Sequence, residues 1–171
     1  LQILNILKNE IQSFYSNNEI YKIFKSNKRL LLFLIESKIL KVDEFVASQM
    51  SKDKYRRKKY PHYFFPEIKQ FFDKDDIEDF SNELIEEFKL EIDKKDDYSI
   101  KNFSEFNRKR KIGENDSYVS ELIRNDSIEE FITYVNKTDL ILKSKITESI
   151  FETNSLLLDK DLTLIQYSVF F

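Results

Sequence analysis

One glycine and two prolines in 171 residues constrain this chain more than any other feature. Sheet-rich folds reverse direction roughly every eight to twelve residues, and their turns draw on glycine and proline for angles that other residues resist. Long helices joined by polar corners need few of either. The chain therefore reads as all-α. Hydrophobic residues make up 41% and aromatic residues 15%, enough apolar surface to bury a core, so this scarcity is not the mark of a disordered chain. The length suits one domain or one compact piece of a larger protein. A start at Leu1 without Met, and no signal-peptide pattern, read as an excised cytoplasmic fragment.

Charge and composition exclude several classes. With 28 basic against 31 acidic residues the net charge is −3, so no global field draws in nucleic acid or acidic membranes. The absence of cysteine removes disulfides, thiolate metal sites and thiol nucleophiles. The longest apolar run, LLLFLI (30–35), is far too short to span a bilayer. A single glycine cannot build a phosphate-cradling loop or a nucleophile elbow. Four N-x-[ST] sequons, at Asn102, Asn115, Asn125 and Asn136, are what an Asn- and Ser-rich chain produces by chance.

Apolar spacing predicts the helices. In LQILNILKNEIQSFY (1–15), Ile3, Leu4, Leu7, Ile11 and Phe14 share one helical face. NNEIYKIFKS (17–26) repeats the pattern, and Asn27 is placed to cap KRLLLFLIESK (28–38), apolar on almost every side like a central helix. Asp43 caps a helix expected to run on through KDKYRRKK until Pro61 stops it and Tyr60 turns extended. Pro66 opens PEIKQFF. Asp75 and Glu78 form a capping box for a stripe of Ile77, Phe80, Leu84, Phe88 and Ile92. DKKDDYS (93–99) is a polar break. A helix through Ile100, Phe103 and Phe106 then ends near Gly113, which takes a left-handed cap without steric cost.

Two short helices follow, DSYVSELIR (116–124) and DSIEEFITYV (126–135). The second is expected to open on an Asp126–Glu129 capping box and to bury Ile128, Phe131, Ile132 and Val135. Residues 136–161 read as an extended loop with one helical turn. LTLIQYSVFF begins a last helix inside which the chain stops, so a continuation is expected to cover Tyr167, Phe170 and Phe171. Segments 19–35 and 118–135 share one plan, a helix pair around a short Ser/Asn/Asp corner, as stacked helical arrays do.

The chemistry-bearing residues concentrate in KYRRKKYPHYFFPEIKQFF (54–72), which holds the only histidine and both prolines. Lys54, Arg56, Arg57, Lys58 and Lys59 could neutralise phosphates, while Tyr55, Tyr60, Tyr63, Phe64 and Phe65 could offer stacking faces to a single strand. Against this, cations gather at helix C-termini, where the dipole favours them, and aromatics fill helix joints. The acids at 73–79 also blunt the local field. The architectural reading is favoured, and RKRK (108–111) reads the same way. His62 is the only candidate imidazole base, and the sequence identifies no partner carboxylate for it. Asp73, Asp75, Asp76, Glu78 and Asp79 suit a helix N-terminus better than calcium, since an EF-hand loop requires other residues where Ile77 and Glu78 stand. No catalytic residue, metal or cofactor is expected.

KRKIGENDSYVSELIRNDSIEEFITYV (109–135), SIFETNSLLL (149–158) and LTLIQYSVFF (162–171) resemble the N-terminal segment of a group of ankyrin-repeat proteins from trichomonad protists. The similarity extends to residues 16–40 and 58–68, and KIGENDSY and NDSIEEFI carry most of it. The resemblance implies an all-helical segment of unknown function leading into ankyrin repeats, which are recognition modules. Thr163, Leu164, Ile165 and Gln166 then stand where the repeat's Thr-Pro-Leu-His turn would be, with proline and histidine replaced. The expectation is an all-α chain of about ten helices stacked in antiparallel pairs. Residues 1–112 form an N-terminal helical domain and 113–171 ankyrin-like pairs. The expected role is protein–protein interaction or scaffolding. The alternative is a nucleic-acid-binding module using residues 54–65.

Overall fold

The computed structural model describes residues 2–52, 59–158 and 161–171. Among them the regular structure is thirteen α-helical segments, a 3-10 turn (Lys69–Phe71) and one two-stranded hairpin, an all-α fold. The number exceeds the expected ten because several segments are single turns. The chain divides into two compact units, Leu1–Lys111 and Ile112–Phe171.

In the first unit, the helix expected over 1–15 breaks at Leu7 into α1 (Gln2–Ile6) and α2 (Lys8–Phe14). Side-chain caps then set the starts of the longer helices. Ser16 and Glu19 form a reciprocal box on α3 (Asn17–Phe24). Asn27 accepts from the Leu30 N–H at 2.9 Å on α4 (Lys28–Glu36), and Asp43 from Val46 at 2.9 Å on α5 (Glu44–Ser51). Each satisfies an amide that the helix itself leaves open.

Pro61 does not end a helix. It lies in the first turn of α6 (Tyr60–Tyr63), where its missing N–H costs nothing, and Tyr60 is helical rather than extended. Pro66 occupies the same place in α7 (Phe65–Ile68), as expected. The cap of α8 (Lys74–Glu86) is Asp73, which accepts from Asp76 at 2.9 Å, so the expected Asp75–Glu78 box does not form and the helix starts two residues earlier. The α8 stripe also ends early: Phe88 lies beyond the helix, and Ile92 enters strand β1 (Ile92–Asp93). The polar break is a tight hairpin turned by left-handed Asp97 and Tyr98, which pairs Ile92 with Ile100 of β2 (Ser99–Ile100). The following helix, α9 (Phe103–Ile112), therefore starts later than expected.

Leu31, Leu32 and Leu34 of α4 pack with Ile20, Tyr21, Val46, Met50, Tyr60, Tyr63, Phe64 and Ile68 in one buried cluster. Each such aliphatic side chain contributes about 1.5–3 kcal/mol relative to exposure.

In the second unit Gly113 takes the expected left-handed backbone, and the helices are α10 (Tyr118–Arg124), α11 (Ile128–Thr138), α12 (Ser155–Leu158) and α13 (Leu164–Ser168). The Asp126–Glu129 box does not form. Asp126 takes a left-handed backbone, Ser127 occupies the cap position without a side-chain bond, and α11 runs three residues past Val135. Asn115 and Glu152 are buried but satisfied: Glu152 accepts from the backbone of Asn115, Thr153 and Asn154, and Asn115 donates to Thr147 O at 2.8 Å. Backbone bonds from Ile146 to Leu162 and from Leu164 to Ser144 tie the extended segment to the start of α13. Thr163 and Gln166 form the capping box of α13. Tyr167, expected to need outside cover, is buried against Leu157 and Leu162 within this unit, whereas Phe170 and Phe171 are exposed.

Candidate functional site

Of the residues that could form a binding surface, Lys54, Tyr55, Arg56, Arg57 and Lys58 lie outside the described residues. The remaining five are in use inside the first unit. Tyr60 and Tyr63 are fully buried, as are Phe64 and Phe65 beside them. The Lys28 ammonium stands 5.9 Å from the Tyr60 ring centroid and 5.2 Å from that of Tyr63, and the Arg110 guanidinium is 5.7 Å from Tyr63. The protein's own cations thus occupy the positions over these rings that an outside ligand would need. The Tyr60 hydroxyl donates to the Lys25 carbonyl. The Tyr63 hydroxyl donates to Arg110 O at 2.8 Å, and burial pushes its pKa well above the ordinary tyrosine value. Neither ring can stack a base in this fold. Lys59, left-handed ahead of α6, binds Glu87 at 3.2 Å and sits 5.3 Å from the Phe88 ring.

RKRK lies at the C-terminal end of α9, as the architectural reading expects, and Arg110 does more there than face the helix dipole. Arg108 and Lys111 do make exposed pairs, with Glu105 and Glu36, but Arg110 is only 1% exposed. Its Nη1 reaches both Glu67 oxygens at 2.7 and 2.8 Å and donates to Tyr63 O at 3.1 Å, while Nη2 donates to Asn107 at 2.9 Å. Phe106 stacks at 5.0 Å, and buried Nε has no hydrogen-bond partner. Burial pushes the Glu67 carboxyl up against the opposing pull of Arg110. This charge-assisted pair, made through Nη1 alone, ties α9 to α7.

His62 does have a carboxylate partner, one the sequence could not reveal. Its Nε2 lies 2.6 Å from Glu83 Oε2 on α8. With Glu83 ionised, Nε2 carries the proton, leaving Nδ1 as a bare, buried lone pair without a partner. Protonating Nδ1 would create a donor with no acceptor, and desolvation of the buried ring holds the His62 pKa below its ordinary value despite the Glu83 bond. Phe80 meets the ring edge-on at 5.8 Å and Phe88 packs at 5.4 Å. A ring 1% exposed and enclosed this way docks α6 onto α8 and presents no face to a substrate.

The second unit holds a different feature. The stripe expected to be buried on α11 is not: Ile128 is 61% and Ile132 53% exposed, and no residue of α11 is fully buried. Ile128 and Phe131 form one wall of an open cleft of about 370 Å³, whose other walls include Leu142, Ile165 and Phe171. Residues from 122 to 171 alone line it, so it belongs wholly to this unit. Periodicity located the stripe, but whether anything covers it depends on tertiary packing.

Among the described residues, no group of three or more His, Asp or Glu side chains is arranged to hold a metal ion. No helix among them is long and apolar enough to cross a membrane. No protein-family model matches the chain, and neither the curated proteins nor the solved structures contain a significant match.

Proposed function

We propose that the chain is a non-catalytic protein–protein interaction or scaffold module. The observation that carries this reading is the uncovered apolar stripe of α11 with the cleft beside it. Contiguous exposed apolar surface is costly in water and marks sites where a partner removes it from solvent. The resemblance to segments that precede ankyrin arrays supports the same role, with α13 as the start of a first repeat-like unit and its Thr163–Gln166 capping box in place of the usual turn. The test is selection of a displayed random-peptide library against the chain, with parallel titration of single-stranded RNA and DNA. Enriched peptides that bind in solution are the expected result. No enrichment, together with nucleic-acid binding that weakens steeply as salt rises, would overturn the proposal in favour of the nucleic-acid reading.

A further inference from the structure

We infer that the cleft between α10, α11 and α13 is a docking groove for a basic amphipathic helix of a protein partner. This rests on the interaction reading above and gives it a place and a ligand class. Two independent features select the occupant, one of shape and one of charge.

The groove is lined mostly by apolar side chains of α10, α11 and α13 together with Leu142 and Phe171, and Ile128 and Ile165 among them are more than half exposed. At eleven residues, α11 is about 16 Å long, enough to lie alongside about three turns of a second helix. A helical partner presenting apolar residues at i, i+3/i+4 and i+7 fills such a surface.

The charge is strongly one-sided. Between Ile112 and Phe171 there are five Lys and Arg against eleven Asp and Glu, whereas residues 1–111 carry 23 against 20. The excess reaches the groove. Its one lining cation, Arg124, is already engaged: it pairs with Glu114 at 2.9 Å and donates to Asn115 O at 2.6 Å and Tyr167 Oη at 3.1 Å. Asp126 lines the groove, Glu129 and Glu130 stand exposed on the first turn of α11, and among the described residues none of the three forms an ion pair. A segment whose flanks carry Lys or Arg meets these carboxylates, and an acidic segment is repelled.

Two helical peptides of about 18 residues test this, sharing one leucine stripe but bearing lysines in one and glutamates in the other. Each is titrated against the whole chain by fluorescence anisotropy. The lysine peptide is expected to bind at least about tenfold tighter, with the preference shrinking at high salt. Asp126→Asn/Glu129→Gln/Glu130→Gln should bring the two affinities together; asparagine tolerates the left-handed backbone at 126, so the corner survives. Ile128→Ser/Ile165→Ser should weaken the lysine peptide about tenfold while the helical circular dichroism is retained. Equal binding of both peptides, or undiminished binding by Ile128→Ser/Ile165→Ser, would overturn the assignment. So would sedimentation showing that this face joins two copies of the chain. If library-selected peptides bind the double variant undiminished, the groove is refuted while the interaction reading stands. If selection enriches nothing and single-stranded nucleic acid binds with a steep salt dependence, both fall.

Discussion

The pairs α3–α4 and α10–α11 are built to one plan and end in opposite situations. Each joins a short helix to a longer amphipathic one through three residues, 25–27 in the first and 125–127 in the second. In the first pair Ile20, Tyr21, Leu31, Leu32 and Leu34 are all at or below 2% exposure. In the second, α10 buries Val119 and Leu122, yet α11 buries nothing fully. The first pair is covered by α5, by α6 and by the aromatics of the 60–65 segment, whereas α11 keeps half of its stripe in water. An amphipathic helix therefore specifies a face that could be buried, and the rest of the chain decides whether it is.

The largest effect should come from the covered side. Arg110→Ala strands Glu67 in a site where burial leaves it dependent on that cation, so urea unfolding should show a loss of about 3–5 kcal/mol. A loss below about 1 kcal/mol would mean that the pair is effectively solvated. Leu34→Ala, from the same core, should cost about 2–5 kcal/mol.

A pH titration sharpens the contrast without altering a hydrophobic side chain. The folded state holds His62 neutral, with its pKa below the ordinary 6.5, while the unfolded chain protonates near that value. Its contribution is thus fully present above pH 6.5 and is lost as pH falls through 6.5 and then through the lower folded value. Glu83, Glu87 and Lys59 surround the ring, and the desolvation of His62 outweighs the two carboxylates. His62→Phe should flatten the unfolding midpoint between pH 7 and 5 relative to the parent. An unchanged slope would show that the ring is already hydrated. The smallest effect belongs to the uncovered side: Ile128→Ser should shift stability by no more than about 0.5 kcal/mol in the same urea assay.

What could be read in advance follows from the range of the interactions. Asn27, Asp43 and Gly113 were legible because a cap acts within three or four residues. Asp73 was missed because Asp75 offers the same oxygen two positions on, and the choice depends on where the chain enters α8. Pro61 was misassigned because a proline reads alike as the end of one helix and the first turn of the next. The hairpin at 92–100 was hidden because Asp97 and Tyr98, rather than glycines, take the left-handed turn. The pairs that organise the first core, Arg110 with Glu67 and His62 with Glu83, join residues 43 and 21 positions apart, and no local pattern announces them. For the same reason the basic–aromatic stretch allows two readings when taken locally, since the cations over its tyrosines come from α4 and α9.

The claim that α11 is a recognition face rather than part of a core is tested most directly by the affinity of the lysine peptide for Ile128→Ser/Ile165→Ser, measured where circular dichroism shows native helicity. Binding about tenfold weaker, with the unfolding midpoint retained, is the expected outcome. Unchanged affinity, or a midpoint that falls as far as that of Leu34→Ala, would contradict it.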